Sequence, residues 1–160
     1  MKTAGTHYLY ASNLFVSTRP YHVNTILGSC VAVCIWDQKL QFGGINHFML
    51  PWWNGQGLSS PKFGNIAIYK LVEKMEALGC SKKNLQAKIF GGGEILEFGH
   101  DHFHIGERNI ETAYELLKEI GIPITGQSVG GKLGRKIQFS TDTGNVKMKY
   151  INKPGVKTSD

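Results

Sequence analysis

Apolar residues recur in two rhythms along this chain. Phe63, Ala67, Leu71, Met75 and Leu78 return at helical spacing, and Gly79 stands where a left-handed residue closes a helix. A second helical stripe runs from about Glu107 to Ile120, with Ile110, Ala113, Tyr114, Leu117 and Ile120 facing inward and Gly121 as its stop. Elsewhere the rhythm is that of strands. Val31, Val33 and Ile35 interleave with Ala32, Cys34 and Trp36, the pattern of a buried strand, and Leu40 to Leu50 reads as the next one. Leu85 to Phe90 is a further strand, ending at Gly91-Gly92-Gly93. Ile137 to Ser140 and Val146 to Ile151 form a hairpin across Asp142-Thr143-Gly144. Pro51 to Pro61 is a long loop, and 152–160 a frayed tail. Helices alternating irregularly with hairpins predict an α+β fold, in one domain over 1–151.

The break Asp37-Gln38-Lys39 turns one strand back on the other. Centred between Gln38 and Lys39, an antiparallel pair sets position i against position 77 − i, and Cys30 then faces His47. A thiolate is the attacking form of cysteine, and an adjacent imidazole can take the thiol proton and return it to a leaving amine. Gly28 and Ser29 supply a flexible approach whose backbone N–H groups can point at a developing oxyanion. The plainer role for a lone intracellular cysteine is that of a small buried hydrophobe. Cys34 fits that role, and Cys80 is structural or incidental.

Composition narrows the classes. At 160 residues, 41% hydrophobic and 19% charged, the chain buries a real core. Three cysteines without metal-finger spacing predict reduced thiols in a cytoplasm, with no signal segment and no membrane span. The net charge of +6 invites nucleic acid, but the lysines are scattered from Lys82 to Lys157 without interleaved aromatics, so a solvated surface or an acidic protein partner is the simpler account. His100, His102 and His104 alternate as metal ligands would, yet they lie between Gly99 and Gly106 with no obvious further ligand. A polar loop is the simpler reading, and no metal is expected. Gly126, Gly131 and Lys132 echo a phosphate loop, but Leu133 stands where Ser or Thr must reach magnesium. Gly91-Gly92-Gly93 reads as a tight strand exit that lets another backbone or a substrate come close.

The stretches Leu27-Gly28-Ser29-Cys30-Val31-Ala32-Val33-Cys34 and Gly44-Ile45-Asn46-His47-Phe48-Met49-Leu50-Pro51 resemble the signature of the CheD chemoreceptor glutamine deamidases. The likeness continues through Lys88-Ile89-Phe90-Gly91-Gly92, Ile105-Gly106-Glu107-Arg108-Asn109 and Gly130-Gly131-Lys132-Leu133-Gly134-Arg135-Lys136, and so spans roughly Val23 to Tyr150. It implies a sandwich of mixed and antiparallel β layers with packed helices. It implies a cofactor-free enzyme that hydrolyses glutamine side chains on methyl-accepting chemotaxis receptors, with Cys30 as nucleophile and His47 as base. A CheC phosphatase is the partner the family suggests, and a non-catalytic adaptor for CheC or receptor is the alternative function. The family's third active-site residue is a threonine six positions before the cysteine. Asn24 occupies that place here and is favoured to orient the imidazole, with the adjacent Thr25 as the alternative. Trp52 and Trp53 are placed at the mouth of such a site.

Overall fold

The computed structural model describes residues 3–94 and 104–151. Among these residues, nine strands and two α-helices are arranged in three layers. The strands are β1 (Gly5–Tyr8), β2 (Leu14–Ser17), β3 (Tyr21–Leu27), β4 (Val31–Asp37), β5 (Phe42–Asn46), β6 (Leu85–Gly91), β7 (Ile124–Val129), β8 (Gly134–Ser140) and β9 (Val146–Ile151); the helices are α1 (Gly64–Ala77) and α2 (Ile105–Ile120). One sheet has the order β1-β3-β8-β9 and the other β2-β5-β4-β6-β7. Both are mixed, since β1 runs parallel to β3 and β6 parallel to β7. This is the α+β sandwich expected of the chain.

The central strand explains the layering. β4 lies between β5 and β6 and is covered on both faces, so its sequence is apolar throughout rather than alternating. Val31, Val33 and Ile35 pack with Ile68, Leu71 and Met75 of α1 and Leu116 and Leu117 of α2. Ala32 and Cys34 face the other sheet, where Val23, Leu27, Ile137 and Phe139 complete the interlayer core. Each large side chain sealed in this way contributes about 1.5–3 kcal/mol. The outer sheet shows the alternation that β4 lacks: Val23, Thr25 and Leu27 point inward from β3, whereas Asn24 and Ile26 point away. On that solvent face Lys136 of β8 stands directly opposite Lys149 of β9.

Two expectations are corrected. The β4–β5 hairpin pairs Asp37 with Phe42, Trp36 with Gly43 and Cys34 with Ile45, so position i faces position 79 − i. The cause is the turn. The Asp37 carboxylate accepts the N–H groups of Lys39 and Leu40 at 2.8 and 2.9 Å, and Gln41 takes a left-handed φ of 60°, which widens the loop to four residues. The strand therefore begins at Phe42 and not at Leu40. α2 is also rotated from the expected stripe. Gly106, Asn109, Thr112, Ala113, Leu116 and Leu117 are its buried residues, with Ile110, Tyr114 and Ile120 packed at the margin. The strands β1, β2, β3 and β7 lay outside the sequence reading. The expected tail at 152–160 lies outside the described residues.

Candidate active site

A register displaced by two residues moves every partner but leaves each side chain on its original face. Val31 and Phe48 exchange both backbone hydrogen bonds, at 3.0 and 2.9 Å, just beyond the β4–β5 ladder. In that frame Cys30 is diagonal to His47 rather than opposite it. Diagonal neighbours across an antiparallel pair have Cα atoms about 7–8 Å apart, within reach of a ring extended toward a thiol. Both side chains belong to the space between the sheets. Cys30 packs against the interlayer core, and His47 contacts β3 of the facing sheet.

That contact involves Thr25. Its Oγ1 lies 2.7 Å from His47 Nδ1, and the same hydroxyl donates to the Leu9 carbonyl at 2.7 Å. A hydroxyl has one proton to give. With that proton committed to Leu9, Oγ1 accepts at the imidazole, so Nδ1 carries the hydrogen and Nε2 keeps a free lone pair. The network thus assigns the tautomer a general base needs. Ser12 N–H donates to the His47 carbonyl at 2.8 Å, which fixes the backbone beneath the ring. His47 is only 5% exposed, and burial pulls its pKa down to about 4. Cys30 is half-buried, and burial pushes its thiol up to about 11, partly offset by its own backbone N–H. The resting pair is therefore neutral thiol and neutral imidazole, not an ion pair.

Asn24 is not the residue that meets His47. It projects to the outer face of β3, where its Oδ1 accepts from Gln138 Nε2 at 3.3 Å. Strand alternation is the reason: Val23, Thr25 and Leu27 share the inward face, and the residue between them cannot. The glycine segments resolve as scaffolding for the loop before Cys30. Gly92 N–H donates to the Cys30 carbonyl and Gly93 N–H to that of Gly28, at 2.8 and 2.9 Å. At Gly91, with φ 107°, a Cβ would fall 2.2 Å from the Cys30 carbonyl oxygen. The backbone admitted by these glycines is that of the cysteine segment. Gly130 and Gly131 belong to the same lacework, through Gly130 N–H to the Gly91 carbonyl and Glu94 N–H to that of Gly131. The buried Arg135 guanidinium braces it, donating to the Gly130 carbonyl at 2.7 Å and to Ser128 Oγ at 3.0 Å.

The remaining candidates lie apart. Cys34 is sealed between the sheets, and Cys80 is buried in the helix-side core. Trp52 is exposed, and Trp53 donates from its backbone N–H to Asn65 at the start of α1 and from its indole to the Gln56 carbonyl of its own loop. His100 and His102 lie outside the described residues. His104 precedes α2 and approaches Glu94 and Glu107, with ligand atoms within 4.8 Å of one another. Glu94 Oε1 is engaged there by Glu107 N–H at 2.9 Å and so caps the helix. One residue of the site stands in the sequence only as part of a family motif, with no role of its own assigned. Asn109, fully buried on α2, donates from Nδ2 to the Ser29 and Met49 carbonyls at 2.9 and 3.0 Å. Its signal was available: it falls three residues after Gly106 and four before Ala113, on the stripe that faces the core.

Residues 49–150 match the family model described as CheD chemotactic sensory transduction. The chain belongs to the CheD family. It is 48% identical over 147 residues to the probable chemoreceptor glutamine deamidase CheD of Sulfurimonas denitrificans, covering 91% of this chain and 94% of that protein. The similarly named CheD of Trichlorobacter lovleyi is 46% identical over 140 residues, with 88% and 87% covered. That of Rhodospirillum rubrum is 40% identical over 144 residues, with 90% and 81% covered. The family model begins after Cys30 and His47, but the longest of these alignments leaves too little of the chain outside it to omit either residue. Among the described residues, no helix is long and apolar enough to cross a membrane.

Proposed function

We propose that this CheD-family protein hydrolyses the side-chain amide of selected glutamines on chemotaxis receptors, acting from the cytoplasm with Cys30 as nucleophile, His47 as base and Thr25 as the residue that orients His47. The observation that carries this reading is the hydrogen-bond chain from His47 Nδ1 to Thr25 and on to the Leu9 carbonyl. It leaves Nε2 unprotonated, with its lone pair available to act as a base. Relatives named as chemoreceptor glutamine deamidases supply the substrate class.

The neutral resting pair sets the order of events. As sulfur attacks the carboxamide carbon, His47 Nε2 takes the thiol proton, so no free thiolate has to form at its raised pKa. The tetrahedral intermediate collapses when the imidazolium returns that proton to nitrogen. Ammonia departs and a thioester remains. Water, deprotonated by the same ring, then cleaves the thioester, giving glutamate and restoring the thiol. No cofactor enters this sequence. A CheC phosphatase is carried as a binding partner by the family likeness. The alternative of a non-catalytic adaptor gains nothing from a buried imidazole with a fixed tautomer, since a docking surface has no use for one.

Replacement of Cys30 by alanine is expected to abolish ammonia release from purified receptor cytoplasmic fragments, a loss of at least about a thousandfold in kcat. Mass spectrometry of the receptor peptides reads the same event as conversion of amide to acid. Full activity in Cys30→Ala would overturn the assignment.

A further inference from the structure

Every backbone polar group around the Cys30 Cα is held except one. The Ser29 carbonyl accepts from Asn109 Nδ2 at 2.9 Å, the Cys30 carbonyl from Gly92 N–H at 2.8 Å, and Val31 N–H donates to the Phe48 carbonyl at 3.0 Å. The Cys30 N–H has no acceptor outside its own residue among the described residues. Within a planar trans peptide the carbonyl and the following N–H point in opposite directions. An amide that anchors the Ser29 carbonyl on the α2 side therefore turns the Cys30 N–H the other way. That N–H is turned toward the cysteine's own sulfur, where it favours the thiolate.

Asn109 is built into this junction. It is wholly buried, and two carbonyl neighbours settle which end of its amide faces them. Its second bond, to the Met49 carbonyl, reaches the segment two residues beyond His47. One amide on one helix thus ties the approach to the nucleophile to the exit from the base. Its Oδ1 has no partner among the described residues, an expense that only the donor end can justify.

Resting on the deamidase reading given above, we infer that Asn109 is a positioning residue that presents the Cys30 backbone N–H as the oxyanion donor of the reaction. When sulfur bonds to the carboxamide carbon, the carbonyl π pair moves onto oxygen, and the negative oxygen forms beside the amide of the attacking residue. A donor already fixed there costs no reorganisation as the charge appears. The sequence reading had placed this role on the N–H groups of Gly28 and Ser29. The carbonyls of those two residues are anchored to Gly93 and Asn109.

The test separates chemistry that builds an oxyanion from chemistry that does not. Alkylation of Cys30 by iodoacetamide displaces iodide from a saturated carbon and forms no oxyanion, whereas deamidation does. Asn109→Ala should lower kcat for receptor deamidation about a hundredfold, the usual size for a lost oxyanion donor, with KM little changed. Cys30 alkylation, followed on its own peptide by mass spectrometry, should fall by less than about fivefold. Asn109→Ser, which keeps one donor, should recover part of kcat. Equal losses in both reactions, or no loss in deamidation, would overturn the role of Asn109. If Asn109→Ala does not fold, Asn109→Ser is judged by the same ratio of losses against the wild type. A wild-type protein that alkylates normally but releases no ammonia from receptor would instead remove the deamidase reading itself, so the two failures are told apart.

Discussion

Cys30 and Cys34 stand four residues apart, on the same face of the same chain segment, and both look into the space between the sheets. Their circumstances differ in what surrounds them. Cys34 is 1% exposed and lies inside the ladder opposite Ile45, with hydrophobic neighbours on the facing sheet. Burial raises its thiol pKa steeply, opposed only in part by the nearby Lys88 charge. Cys30 lies one residue before the strand begins, where the ladder gives way to a glycine-bordered junction. There the thiol is partly exposed, and His47 lies diagonally across the strand pair. A thiol becomes chemically useful at the end of a strand, where the backbone is released from pairing. In the middle it is only packing.

The widest separation between the two cysteines should be in their reactivity. Iodoacetamide should label Cys30 about a thousandfold faster than Cys34, because Cys34 becomes accessible only through large-scale opening of the fold. Cys30 labelling should also climb about tenfold per pH unit between pH 8 and 10, as expected for a thiol raised to about 11 rather than one near the ordinary value. Peptide-resolved labelling rates across that range read both effects. Comparable rates at the two sites, or a plateau for Cys30 near pH 8.5, would erase the distinction.

A smaller contrast lies on β3. Thr25→Val keeps the shape of the side chain but removes the acceptor at His47 Nδ1 and the donor to Leu9. It should lower kcat by about tenfold to a hundredfold, consistent with misplacing a general base. Asn24→Ala, one residue away on the opposite face, should change kcat by less than about twofold. Kinetics on the two variants in parallel decide it. If Asn24→Ala proves the more damaging, then the orienting role does not follow from the face of the strand.

That pair also shows how far the residues alone could be read. The helical stripe at 63–78, the strand at 85–90 and the hairpin at 137–151 were legible because their periodicity is carried by large apolar side chains. β3 was not. Its inward set is Val23, Thr25 and Leu27, and a threonine in the middle dilutes the alternation. With β3 unread, the face that separates Thr25 from Asn24 is invisible, and counting back from the cysteine favours the neighbour that faces away from His47. The hairpin was off by two because an aspartate side chain, not a glycine, shapes its turn. An even error preserves the face, so the thiol and the imidazole still belong to the same side of the strand pair. Asn109 was missed for a further reason: a buried polar residue on a helix stripe looks like a break in the pattern.

The smallest effect concerns stability, where the two halves of the pair act at opposite ends of the pH scale. His47 has its folded pKa lowered from 6.5 to about 4, so between those values the unfolded chain binds the proton and the folded chain does not. Stability from this group is fully present above pH 6.5 and is lost as pH falls toward 4, at up to about 1.4 kcal/mol per pH unit. Cys30 works in the opposite sense. Its folded pKa is raised from 9.0 to about 11, so its contribution is intact below pH 9 and is lost as pH rises toward 11. Cys34 and Cys80 are also raised, so the alkaline limb is shared among three thiols, whereas the acid limb of this pair comes from His47. Urea unfolding at pH 4.5, 5.5 and 6.5 should therefore show a steeper loss of stability for the wild type than for His47→Gln. Parallel curves for the two proteins would mean that His47 titrates as an exposed histidine does, and with that its role as a buried neutral base would fall. Cys30→Ser should flatten the alkaline side only in part, and Cys34→Ser should do the same at a larger cost in stability at neutral pH, because its hydroxyl would enter the interlayer core.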